Sequence, residues 1–195
     1  MKETLARLIT NVINPFLVSA VIIVLLAFEG TDTTAEAIKW AAISFALSVL
    51  PVLAVVLLLV RRKKLDAVFE NPRRQRIGIY LLASSLGILG WWLLRYLNAP
   101  EKLEATFTAG AAAVIVFTLI NFFWKISVHA AFMTGAAAVL IIVYGAPAAW
   151  TVFLIPAVIW ARVELKQHTP MQAGVGAMLT AVLVFLIFWG YGMGV

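Results

Sequence analysis

The chain contains no cysteine, and only 12% of its 195 residues are charged. The first absence excludes disulfides and thiol chemistry. The second excludes an ordinary soluble domain, in which roughly 25% of residues are charged and about 45–50% are apolar. Here 64% are hydrophobic and the mean hydropathy is +1.02, more apolar surface than a water-soluble fold can bury. Period-2 alternation is missing from the apolar stretches, which argues against a transmembrane barrel. There are only two histidines, with no carboxylate cluster or His-rich spacing to assemble a metal site. No tandem repeat, low-complexity linker or domain boundary interrupts the chain. No small-residue cleavage site follows the first apolar block, which is read as retained. These absences lead us to expect a single integral membrane domain over residues 1–195.

What is present is a series of apolar blocks close to the 20 residues that a helix needs to cross about 30 Å of hydrocarbon. They are Leu8–Phe28, Ala37–Val60, Ile77–Leu97, Ala105–Phe123, Val128–Tyr144, Ala148–Ala161 and Met171–Val195. The expected fold is an all-α, polytopic transmembrane bundle of six to seven spans. The fifth and sixth blocks are short and are separated by the breaker Gly145-Ala146-Pro147, so they are expected to be tilted, shortened or partly re-entrant. Pro15 and Pro51 fall inside apolar runs, where a membrane helix tolerates a kink.

Charge gives an orientation. With the N-terminus, the 61–76 loop, the 124–126 turn and the 162–170 loop on one face, that face collects twelve Lys and Arg against four Asp and Glu. The opposite face has three against five. Basic short loops face the cytoplasm, so the basic face is expected there. A phosphate site on that face would be basic as well. No nucleic-acid partner is expected.

Both histidines, His129 and His168, fall next to helix ends on the basic face, as do Lys125, Ser127 and Arg162. Each alone is an ordinary interface residue; their convergence from separate loops points to function. In Lys125-Ile126-Ser127-Val128-His129, Ser127 suits an N-cap. Free amides and the positive end of a helix dipole then lie beside Ser127 and His129, a ready anion site. In His168-Thr169-Pro170-Met171-Gln172, Thr169 suits an N-cap and Pro170 the first helical position, and Thr169-x-x-Gln172 has the form of a capping box. In Asn71-Pro72-Arg73-Arg74-Gln75-Arg76, Asn71 is expected to cap the third span. Three arginines then stand in its first turn against the dipole, and something anionic should compensate them: Asp66 and Glu70, or a bound phosphate.

These residues resemble the type 2 phosphatidic acid phosphatase superfamily, whose membrane members are lipid phosphatases. Its signature is Lys-x6-Arg-Pro, then Pro-Ser-Gly-His, then Ser-Arg-x5-His-x3-Asp. The third motif is met by Ala161-Arg162, five residues, His168, three residues and Gln172; the second by Ile126-Ser127-Val128-His129. The first is met by Lys64, six residues and Asn71-Pro72, with Arg73, Arg74 and Arg76 nearby. The resemblance covers about residues 61–180, and two spans separate each motif from the next, so all three reach the basic face.

The resemblance implies a phosphatase that needs no cofactor or metal. His168 would be the nucleophile that becomes a phosphohistidine, and His129 the general acid and base. Gln172 stands where the family has an Asp that orients the nucleophile; it would accept the same hydrogen bond without its charge. Lys64, Arg73, Arg74, Arg76, Lys125, Ser127 and Arg162 would hold phosphate oxygens. The substrate implied is a membrane lipid phosphate or a prenyl phosphate or diphosphate. Two alternatives stay open: a catalytically silent member that binds lipid or acts as a scaffold, and a transporter.

Overall fold

The computed structural model describes residues 1–69 and 71–193; Glu70, expected above to balance the arginines, and Val195, the end of the last block, lie outside the described residues. Those described are helical, with no strand among them. The helices are α1 (Lys2–Val12), α2 (Pro15–Glu29), α3 (Thr34–Leu47), α4 (Val49–Arg61), α5 (Arg73–Tyr96), α6 (Glu101–Asn121), α7 (Val128–Tyr144), α8 (Leu154–Glu164) and α9 (Pro170–Gly190). A 3-10 segment, Ala146–Phe153, leads into α8.

Five helical runs are long and apolar enough to cross a membrane: Thr34–Arg61, Arg73–Tyr96, Glu101–Asn121, Ala146–Glu164 and Pro170–Gly190. A sixth is the pair α1 and α2, bent by 41°, if it is one broken span. Helix α7 is apolar but shorter, at 17 residues or about 25 Å. Large apolar side chains stand exposed along these helices, among them Ile88, Trp92, Leu119, Phe185 and Trp189. Such an outer surface suits lipid and not water. The helices are those of a multi-pass integral membrane protein.

Proline sets two of the breaks. Pro51 has no amide for the Leu47 carbonyl and its ring crowds that group, so α3 stops at Leu47 and α4 starts at Val49. Ser48, at the break, donates its hydroxyl to the Ser44 carbonyl at 2.6 Å. In the first block the helix ends at Val12 and restarts at Pro15. Asn14 caps the second piece through the Leu17 amide at 3.0 Å and donates to the Asn11 carbonyl at 2.8 Å. Gly145, at φ 68°, ends α7 in the left-handed region that glycine enters without strain.

The chain clusters into two compact units, Met1–Ile22 with Lys125–Val195, and Ile23–Trp124. In the second, α5 and α6 form a hairpin closed by the Arg95–Glu104 ion pair at 2.7 Å. Its helices pack closely at Gly87, where an added Cβ would lie 3.2 Å from that of Ala111, and share a buried Ser84–Thr118 hydrogen bond of 3.0 Å. In the first, α8 packs on α1, α7 and α9, while α7 and α9 pack along their lengths. These two run in the same direction. The start of α7 meets the first turns of α9, and further along an added Cβ at Gly135 would lie 3.0 Å from Thr180 Cγ2. Small residues line this contact, with Ala130, Ala173 and Ala177 buried together, as is usual where membrane helices approach closely.

Candidate active site

Helix α7 begins as its sequence requires. Ser127 is the N-cap in an extended conformation, and its Oγ accepts the Ala130 amide at 3.5 Å. Ser127 is fully buried, and His129, in the first turn, is buried as well. An N-cap amide has no acceptor within its own helix. Here the Ser127 amide donates to the Gln172 carbonyl of α9 at 3.3 Å.

Helix α9 opens with a complete capping box. Thr169 Oγ1 accepts the Gln172 amide at 3.2 Å, and Gln172 Oε1 accepts the Thr169 amide at 3.1 Å, with Pro170 at the first helical position. The Gln172 side chain thus serves the helix end. Removing the hydroxyl in Thr169→Ala is expected to lower stability by about 1 kcal/mol, read as a lower thermal midpoint in detergent.

The third segment of the site is the turn between α8 and α9. Arg162, in the last turn of α8, is the largest fully buried side chain among the described residues. Its carbonyl accepts the amides of Gln167 at 3.1 Å and His168 at 3.2 Å. Lys166 takes φ 55° to close this reversal, and a cation there faces the negative end of the α8 dipole. His168 is buried and adjoins the Thr169 cap.

One unit therefore gathers Ser127, His129, Arg162, His168 and Gln172, with Arg162 bonded to His168 and Ser127 to Gln172 through the backbone. Lys125 is half-buried at the entry to α7. Two helix N-termini, each equivalent to roughly half a positive charge, meet here, and such ends attract anions; Arg162 is buried in the same unit. Among the described residues no group of three His, Asp or Glu could hold a metal ion. Comparison with protein-family models, curated proteins and solved structures finds no match.

The remaining expected phosphate ligands belong to the other unit. Lys64 and Arg74 are exposed there. Arg73 donates to the Phe122 carbonyl at 3.0 Å, and Asn121 Nδ2 donates to the Arg73 carbonyl at 3.2 Å. What compensates Arg73 is thus the negative C-terminal end of α6. Arg76 lies over the Tyr80 ring at 4.9 Å and donates to its hydroxyl.

Asn71 corrects the sequence reading. It does not cap α5; Pro72 holds the N-cap position without a side-chain bond. The Asn71 side chain turns back to the loop, accepting the amides of Asp66 at 2.9 Å and Ala67 at 3.1 Å and donating to the Ala67 carbonyl at 2.6 Å. Three loop hydrogen bonds outcompete one capping bond. Asp66 in turn accepts from Gln75 Nε2 at 3.3 Å.

A residue missed in the sequence is Gly176, where an added Cβ would lie 2.9 Å from the Ser127 carbonyl oxygen and 3.2 Å from Ile126 Cγ1. Its signal was a glycine inside a helix, one turn after Gln172.

Proposed function

We propose that the chain is a membrane lipid phosphatase of the type 2 phosphatidic acid phosphatase kind, acting through a phosphohistidine. The observation that carries this reading is the Ser127–Gln172 backbone bond, which joins the segments bearing the second and third motifs, with His129, His168 and Arg162 buried around them. Arg162, Ser127 and the amides at the starts of α7 and α9 hold the phosphate oxygens. A nitrogen of His168 attacks phosphorus, the ester bond breaks, and the leaving oxygen takes its proton from His129. Water then attacks the phosphohistidine, gives its proton to His129, and inorganic phosphate leaves. Catalysis rests on charge stabilisation and in-line positioning, which phosphoryl transfer chiefly needs. The substrate class is a lipid phosphate or a prenyl phosphate or diphosphate.

The test is phosphate release by purified protein offered a panel of phospholipid and prenyl phosphates. Release from none of them would leave a silent lipid-binding protein as the better reading. That second reading draws on Gln172, whose neutral side chain is committed to the capping box.

The active face is assigned to the cytoplasm, because Arg61, Arg62, Lys2 and Arg7 add to the basic count without belonging to any motif. The chain lacks cysteine, so Arg62→Cys, at an exposed position, gives a single label site. A membrane-impermeant maleimide is expected to label it only after permeabilisation. Ready labelling in intact cells would reverse the orientation.

A further inference from the structure

The Ser127–Gln172 bond requires the backbones of two helices to approach without a side chain between them, and residue 176 is where that requirement falls. We infer that Gly176 is a positioning residue of the site: its missing side chain sets the distance between the α7 half, which carries Ser127 and His129, and the α9 half, which carries His168. This rests on the phosphatase reading given above.

The geometry is specific to this glycine. A Cβ at Gly176 would meet the Ser127 carbonyl oxygen at 2.9 Å, where ordinary contact is 3.4–4 Å. That oxygen belongs to the backbone and cannot rotate away, so the start of α7 must move by roughly 0.5–1 Å. Gly174 lies two residues earlier on the same helix, and a Cβ there meets nothing within 4 Å. Both glycines lie in the first half of α9, but Gly176 is buried against the start of α7 and Gly174 is only partly buried.

The two halves respond differently. Arg162, His168, Thr169 and Gln172 are tied to one another by the α8–α9 turn and the capping box, so they move as a piece. Ser127 and His129 are tied to that piece by contacts at the helix starts. Displacing α7 shifts the general acid away from the leaving oxygen and moves Ser127 and the α7 amides, while Arg162 and the start of α9 stay in place and keep part of the attraction for phosphate. Binding should weaken less than turnover falls, since a misplacement of about 1 Å at a reacting group lowers the rate by about a hundredfold.

The experiment compares wild type, Gly174→Ala and Gly176→Ala in nanodiscs, using the lipid phosphate that the wild type hydrolyses fastest. For Gly176→Ala, kcat is expected to fall by about ten- to a hundredfold, with KM rising by a smaller factor than kcat falls. Gly174→Ala should match wild type in both. Amide exchange supplies a readout independent of turnover: the Ser127 amide should exchange faster in Gly176→Ala and not in Gly174→Ala. Equal kinetics and exchange in the two variants would overturn the inference, as would a loss confined to KM. If Gly176→Ala does not fold, the wild type still decides, because rapid exchange at the Ser127 amide would mean that the close approach is absent. If the wild type hydrolyses no lipid, the phosphatase reading fails, and the exchange comparison alone judges whether Gly176 sets the helix spacing.

Discussion

His168→Ala is expected to reduce phosphate release by at least about a thousandfold, the scale on which removal of a nucleophile acts, while binding of the lipid phosphate survives. The separation follows from how the residue is held. His168 is fixed through its backbone amide, bonded to the Arg162 carbonyl, and through the Thr169 cap that follows. Alanine keeps both. The side chain is removed, but Arg162, Ser127 and the two helix starts stay where they are, and under the proposed function these supply the attraction for phosphate. Turnover measured as released phosphate, beside retention of a radiolabelled lipid phosphate, checks both halves. Turnover within tenfold of wild type would remove His168 from the nucleophile's role.

Arg162→Lys is the second large effect, expected to lower kcat/KM by about a hundredfold, comparable to the loss of one preorganised donor at a reacting oxygen. The charge is retained, so a role in bulk electrostatics would leave activity nearly unchanged. What is lost is the planar fork that binds two oxygens at once, replaced by a compact ammonium that retains its hydration more strongly. Arg162 is 1% exposed, so bulk solvent has little access to make up for a lost donor. Steady-state kinetics alongside a thermal midpoint separate this from misfolding. A folded variant with kcat/KM within threefold of wild type would show that the guanidinium does not touch the substrate.

The helix starts that carry the candidate site residues were legible because capping is local. Ser127 and Ala130, or Thr169 and Gln172, lie within three residues of each other, and the side-chain chemistry that joins them needs no knowledge of the rest of the chain. The helices were legible for a similar reason, since block length and hydropathy act within one segment. What escaped was set by competition or distance. Asn71 has the same Asn-Pro pattern as Asn14, yet Asn14 caps a helix and Asn71 ties a loop, because only Asn71 finds two loop amides within reach. Asn14-Pro15 itself was passed over as a tolerated kink, although it divides the first block into two separately capped helices. The partner of Arg73 is 49 residues away, and the neighbour of Gly176 lies on another helix; neither can be read from a local window.

The parallel course of α7 and α9 has an electrostatic consequence. Two like helix ends held side by side repel, and a buried guanidinium in the same unit adds to that repulsion. The packing at Gly135 and Gly176 works against that repulsion, and under the proposed function the substrate phosphate would act as a counter-ion to the helix ends. Folding and ligand occupancy are then linked by mass action. On that reading the ionic composition of the medium would set how firmly α7 and α9 stay together.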